Sequence, residues 1–437
     1  MRRGTHIHLR KARPEVAPGC EKQKKLNQPA VLIAHPTGNQ NVRNALLSLA
    51  ENEMLAEFWT AIAWNPESRW NRLLPLALRN QFARRAFAEA PREQVKCVPF
   101  REMVRLSAGP LLLHNLLCSG ERPFSIIGMY RHFDGKVARC LRTLHCDAVY
   151  AYEGGALKTF REARRLGIKT IYEQTSSYWY WARRLLTEEA ERSPEFAGLL
   201  PNLLDSEKHL EWKDEELALA DYVFVPSEHV RRTLTDVIPE ERIRVVHYGA
   251  PAIRQRKRIS ADPGRPLQVL FVGLLIQHKG IGYLLDAIDR LGSQVQLTLV
   301  GKRFRANIRV DEACRRWRWF ETLSHSQVLD VMMESDVLVL PSLGEGFGLV
   351  VTEALACGLP VIVTPNVGAS DLIRDGHEGY LVPVSSADAI AERLHTLHYD
   401  RELLVSMSRN AQATAAERSW ASYRADYADT VRSVACS

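Results

Sequence analysis

Cysteine is scarce and spaced without pattern: eight in 437 residues, at 20, 97, 118, 140, 146, 314, 357 and 436, with no CxxC pair and no Cys/His cluster at zinc spacing. Neither a disulfide scaffold nor a structural metal site is signalled, and the thiols read as buried groups of a reducing compartment. Long hydrophobic runs are missing as well. The apolar stretch at residues 110–117 falls far short of the ~18 residues that span a bilayer. The first 28 residues lack the apolar centre of a secretion signal, despite a Val16-Ala17-Pro18-Gly19-Cys20 segment shaped like a lipoprotein cleavage site. A cytoplasmic location is expected. No GxGxxG follows a strand with an acidic residue about twenty positions on, which argues against a dinucleotide oxidoreductase.

The formal net charge is +7, but residues 1–25 hold eight Lys/Arg and two Glu, so this tail carries +6 of it. The remaining chain is nearly neutral, and no nucleic-acid partner is expected. Composition is that of a globular protein, 46% apolar and 25% charged, long enough for two or three domains.

Short apolar runs bounded by turn residues alternate with segments of helical period, the pattern of parallel strands covered on both faces by helices. The pattern occurs twice. The first set is 31–34, 148–150, 170–172 and 222–225; the second is 267–272, 297–300, 337–340, 361–363 and 380–382. Ile281, Leu284, Leu285, Ile288 and Leu291 form one helical stripe between two of the latter. The expected fold is α/β, with two Rossmann-like doubly wound domains facing across a cleft. The expected divisions are a basic extension at 1–28, an N-terminal domain at 29–253, a polar linker at 254–266, a C-terminal domain at 267–417 and a final helix at 418–437 crossing back. Ligands of such folds sit at the carboxyl ends of the strands.

The densest chemical signal is Pro341-Ser342-Leu343-Gly344-Glu345-Gly346-Phe347-Gly348-Leu349-Val350-Val351-Thr352-Glu353. A buried strand runs into a loop with glycines at 344, 346 and 348, and then into a helix. Glycine permits close backbone approach, and the helix's first amides and positive dipole end favour an oxygen-rich or anionic ligand. Glu345 in the loop and Glu353 about one turn into the helix can accept hydrogen bonds from sugar or ribose hydroxyls.

This segment resembles the Glu-x7-Glu signature of retaining nucleotide-sugar glycosyltransferases, glycosyltransferase family four of the GT-B fold. Four further blocks are similar to that family: Gly273-Leu274-Leu275-Ile276-Gln277-His278-Lys279-Gly280 to its phosphate loop, Ala220-Asp221-Tyr222-Val223-Phe224-Val225-Pro226-Ser227-Glu228 to the last strand of its N-terminal domain, Val245-Val246-His247-Tyr248-Gly249 to its interdomain crossing, and Asn366-Val367-Gly368-Ala369-Ser370-Asp371 to the next loop. The resemblance implies Lys279 on the diphosphate, Glu353 on the ribose, Glu345 on the donor sugar, and Gly273, Gly346, Phe347, Gly348, Leu349 and Val350 around the donor. Gly38, in Pro36-Thr37-Gly38-Asn39, would approach the phosphates from the other domain. Two departures stand out. Leu274 replaces a frequent arginine, and Glu173-Gln174-Thr175 replaces a frequent histidine.

The implied activity is sugar transfer from a UDP-, GDP- or ADP-sugar to a glycan or lipid-linked acceptor hydroxyl. No cofactor or metal is implied, because a cation and helix dipoles can neutralise the diphosphate. The alternatives are a nucleotide-sugar epimerase on the same fold and a non-catalytic sugar-nucleotide-binding protein. Arg315-Arg316-Trp317-Arg318-Trp319-Phe320 reads as a helix end and a half-buried strand rather than a nucleic-acid groove. The stretch 72–87 reads as an amphipathic cover of the first sheet, with peripheral contact to an anionic membrane as the other option.

Overall fold

A computed structural model describes residues 28–65, 85–108, 122–200, 205–255 and 264–436, together with 67, 79, 82, 83, 118, 120 and 262. The basic tail, most of the 72–87 stretch and most of the linker lie outside the described residues.

Seven parallel strands form the first sheet: β1 (Val31–Ala34), β2 (Leu55–Thr60), β3 (Val95–Cys97), β4 (Ala148–Tyr152), β5 (Lys169–Glu173), β6 (Tyr222–Val225) and β7 (Ile243–Val245), in the order β3-β2-β1-β4-β5-β6-β7. Six form the second: β8 (Leu267–Val272), β9 (Val295–Val300), β10 (Arg318–Phe320), β11 (Val337–Leu340), β12 (Val361–Val363) and β13 (Gly379–Leu381), in the order β10-β9-β8-β11-β12-β13. Every pairing is parallel, with β1 against β4 in one sheet and β8 against β11 in the other. Strand order reverses at these two places, so each sheet opens a crevice there at its carboxyl edge.

The central strands are apolar throughout because helices cover both faces: β1, β4, β11 and β12 are buried at every position. The helix Ile281–Leu291 buries the stripe legible in the sequence. The basic aromatic stretch is the end of the helix Ile308–Arg316 followed by β10, paired with β9.

The chain crosses between the domains twice, side by side. Ala250 donates its amide to Arg418 O at 2.7 Å, and Trp420 donates to Ala250 O at 3.1 Å. The helix Trp420–Ala435, capped by Ser419, then lies on the N-terminal helix Gln40–Glu51, where Ser48 Oγ donates to Arg424 O at 2.6 Å. Its Tyr427 ring meets Tyr150 of β4 edge-on at 5.4 Å. No described helix is long and apolar enough to cross a membrane.

Candidate active site

Two loops leave the carboxyl ends of β8 and β11, the neighbours at the reversal point. The first runs from Gly273 (φ +149°) through a tight turn at Gln277–Lys279 to Gly280 (φ +74°) and the helix Ile281–Leu291. A Cβ at Gly280 would lie 2.0 Å from the Pro341 carbonyl oxygen, so the first loop rests directly on the start of the second. That contact sets Lys279 beside Glu345, and the two side chains form an ion pair, each 22% exposed. Burial pushes the Lys279 ammonium down to about 8.

The second loop is held from three sides. Glu345 donates its amide to Asn366 O at 2.8 Å and accepts from Gly368 N at 3.0 Å; Asn366 Nδ2 donates to Leu343 O at 2.8 Å. Phe347 is buried, its ring 5.2 Å from Tyr248, leaving its backbone as the part that borders the loop. Gly346 is pressed against the other domain: Ser227 Oγ donates to its carbonyl at 2.7 Å, and a Cβ there would sit 1.9 Å from Thr175 O. Gly348 (φ +83°) caps the helix Leu349–Ala356, whose first amides, those of Leu349 and Val350, have no acceptor within the helix.

Glu353 lies one turn inside that helix. Its carboxylate contacts His325 Nε2 at 2.9 Å; burial raises its pKa, and the His325 hydrogen bond works against that rise. Nothing in the sequence pairs His325 with Glu353, 28 residues further on.

Lys279, Glu345 and Gly346 line a cavity of about 410 Å³ between the domains. Its opposite wall comes from the N-terminal domain: Glu153 after β4, Ser176 and Ser177 after β5, Trp179 and Arg183 on the helix Trp179–Arg192, and Lys213 on the helix Glu207–Leu219. No local motif joins these residues; the usable signal was that Glu153 directly follows the apolar run of β4. Gly38 is placed elsewhere. It lines a second cavity of about 460 Å³ with Arg43 and His325, and its amide donates to His35 Nδ1 at 2.8 Å. His325, which lines the second cavity, contacts Glu353.

The first departure, Leu274, is exposed beside the first loop. The second, Glu173, does not face the cavity. It is buried, accepts from Tyr150 Oη at 2.6 Å and from Asn41 Nδ2 at 3.3 Å, and is bonded by the Tyr248 hydroxyl. Burial raises its pKa. The carboxyl thus ties β5, the helix Gln40–Glu51 and the interdomain crossing together.

Two buried histidines should make the fold acid-sensitive. Burial holds His35 at about 3 and His229 at about 4; His35 Nδ1 accepts from Thr37 N and Gly38 N, and His229 Nε2 bonds Ser177 Oγ at 2.9 Å. For a base whose folded pKa is depressed, stability is complete above the unfolded value of 6.5 and is lost as pH falls, down to about 4 for His229 and about 3 for His35. From pH 6.5 to 5 the loss is about 2 kcal/mol per histidine. Thermal melts should show the decline, with a shallower slope in His229→Gln; an equal slope would remove His229 from the account.

Two parallel α/β domains facing across a cavity, with both glycine loops at one reversal point, are the architecture of GT-B glycosyltransferases. Residues 253–414 match the family described as glycosyl transferases group 1. Over 196 residues the chain is 31% identical to the D-inositol 3-phosphate glycosyltransferase of Streptomyces bingchenggensis, covering 41% of this chain and 43% of that protein. The chain spans about half the length of the curated relatives it matches. In structure it is similar to the sucrose-phosphate synthase of Thermosynechococcus elongatus, with a TM-score of 0.65 and 18% identity over 94% of this chain and 100% of that one. It is also similar to Anabaena Alr3699/HepE in complex with UDP and glucose, with a TM-score of 0.59 and 18% identity over 93% and 100%.

Proposed function

We propose that the protein is a retaining glycosyltransferase that moves a sugar from a nucleoside-diphosphate donor to an acceptor hydroxyl in the interdomain cavity. The observation that carries this reading is the Lys279–Glu345 pair, set at the carboxyl ends of β8 and β11 beside the open amides of Leu349 and Val350. In the reaction the bond between the anomeric carbon and the diphosphate oxygen breaks, and its electron pair leaves with the nucleoside diphosphate. The acceptor oxygen then bonds the anomeric carbon and passes its proton to the departing diphosphate. Lys279 and the helix amides stabilise the charge that develops on the leaving group. Glu345 receives the donor sugar's hydroxyls, and Glu353 the ribose hydroxyls.

A donor that binds the folded chain stabilises it by ~2.7 kcal/mol at a hundredfold excess over its Kd. A thermal-shift screen of UDP-, GDP- and ADP-sugars should give a rise with one base class. Glu353→Ala should weaken that donor by about 10–100-fold, the worth of ~1.5–3 kcal/mol for hydrogen bonds to a charged group. No shift with any nucleotide sugar would refute the reading.

A further inference from the structure

The glycosyltransferase reading leaves the acceptor open, and the relatives do not choose it. The cavity wall facing Lys279 and Glu345 carries information about it. We infer that the acceptor group bound there is a neutral, hydroxyl-rich sugar unit, held by Trp179, Glu153 and Lys213, and not a phosphorylated small molecule. The inference rests on the glycosyltransferase reading and names the substrate class of the same site.

Charge comes first. Lys213 Nζ lies 3.3 Å from Glu153 Oε1 and 3.5 Å from Asp205 Oδ2, and Arg183 Nη1 lies 2.7 Å from Glu207 Oε1. Each cation of this wall is therefore matched by an acid, and Lys213 by two. Beside Lys279 a phosphate also meets the first amides of the helix Leu349–Ala356, whereas on this wall Glu153, Asp205 and Glu207 outnumber Lys213 and Arg183, and an anion gains no net cation. A phosphorylated acceptor entering here would meet Glu153 and Asp205 and displace existing ion pairs.

Sugar hydroxyls suit the same wall, because each both donates and accepts. Glu153 accepts from Ser176 Oγ at 3.0 Å, and its side chain and that of Lys213 are 16% and 18% exposed at the cavity. The carboxylate has further lone pairs and the ammonium further protons for a polyol. Trp179 supplies the apolar part. Its Nε1 donates to Asp214 Oδ1 at 2.6 Å and the Arg183 guanidinium lies 5.4 Å from the ring centroid, so the indole is fixed in place as it lines the cavity. A rigid aromatic surface beside paired charges complements the C–H face and hydroxyl edge of a pyranose.

The test measures initial rates with the productive donor on two acceptor sets. The neutral set is maltose, lactose and octyl β-D-glucoside, the last separating a free sugar from a lipid-borne one; the anionic set is glucose 1-phosphate, glucose 6-phosphate and inositol 3-phosphate. At least one neutral acceptor should exceed every phosphorylated one about tenfold in kcat/KM. Trp179→Ala should raise the acceptor KM about tenfold and the donor KM less than twofold, with Trp179→Phe recovering most of the loss. Glu153→Gln, which takes one countercharge from Lys213, should narrow the preference against phosphate. A preference for phosphorylated acceptors, no turnover of the neutral set, or an unchanged acceptor KM in Trp179→Ala each overturns the inference while donor binding stands. Absence of any donor binding by the parental chain instead removes the glycosyltransferase reading and the inference with it.

Discussion

Lys279→Ala should cut the transfer rate by about 10²–10³, the ~3–4 kcal/mol typical of losing one preorganised donor to developing charge. The fold should survive. Lys279 sits at the end of a tight turn whose geometry is set by Gly280 against Pro341, and its side chain contributes nothing to the apolar core. The ammonium is paired with Glu345. A nucleotide sugar satisfies both partners at once, giving oxygens to Lys279 and hydroxyls to Glu345, so the pair is poised to open on binding. The same site predicts a pH limb. With Lys279 near 8, kcat/KM should fall as pH rises past that value, since the free enzyme loses the cation that meets the diphosphate. Steady-state rates with a melting curve check both; a folded variant turning over at the parental rate would remove Lys279 from the phosphate site.

Gly346→Ala is the second large effect. Its added methyl would stand 1.9 Å from Thr175 O and 3.0 Å from Ser176 Cα, both backbone atoms of the other domain that cannot swing aside. The loop must retreat, losing the Ser227 hydrogen bond and shifting Glu345, whose own amide and carbonyl are fixed by the 366–368 segment. Forced repacking of this kind costs ~1–3 kcal/mol, and a displacement near 1 Å at a reacting group can cost about a hundredfold in rate. Activity should therefore drop more than stability. Parallel kcat/KM and thermal-melt measurements distinguish this from simple unfolding, and an active variant with an unchanged melting temperature would show that the two domains do not need this contact.

The parts of the fold legible in the sequence were those where burial erases alternation. β11 and β12 read as apolar runs because both faces are covered, and the helix Ile281–Leu291 declares itself by its stripe. β2 was illegible because Glu57 interrupts it, its carboxylate serving Trp59 Nε1 at 2.7 Å and Lys96 Nζ at 3.7 Å. The edge strand β3 is three residues long and exposed at Cys97, too short to carry a period. The Lys279, Glu345 and Glu353 segments stood out because loop, glycines and helix start are contiguous. The facing wall did not, since Glu153, Trp179, Asp205 and Lys213 meet only through the folding of β4, β5 and two helices. Glu173 was noticed as a departure in the sequence, but its role as a buried tie among tyrosines required the structure.

The most direct measurement is a crystal structure of the chain bound to the nucleotide sugar that gives the largest thermal shift. The diphosphate should lie within hydrogen-bonding distance of Lys279 Nζ and the amides of Leu349 and Val350, the ribose on Glu353, and the sugar on Glu345 with the Lys279–Glu345 pair opened. A donor seated away from these residues, with that pair intact, would contradict this placement.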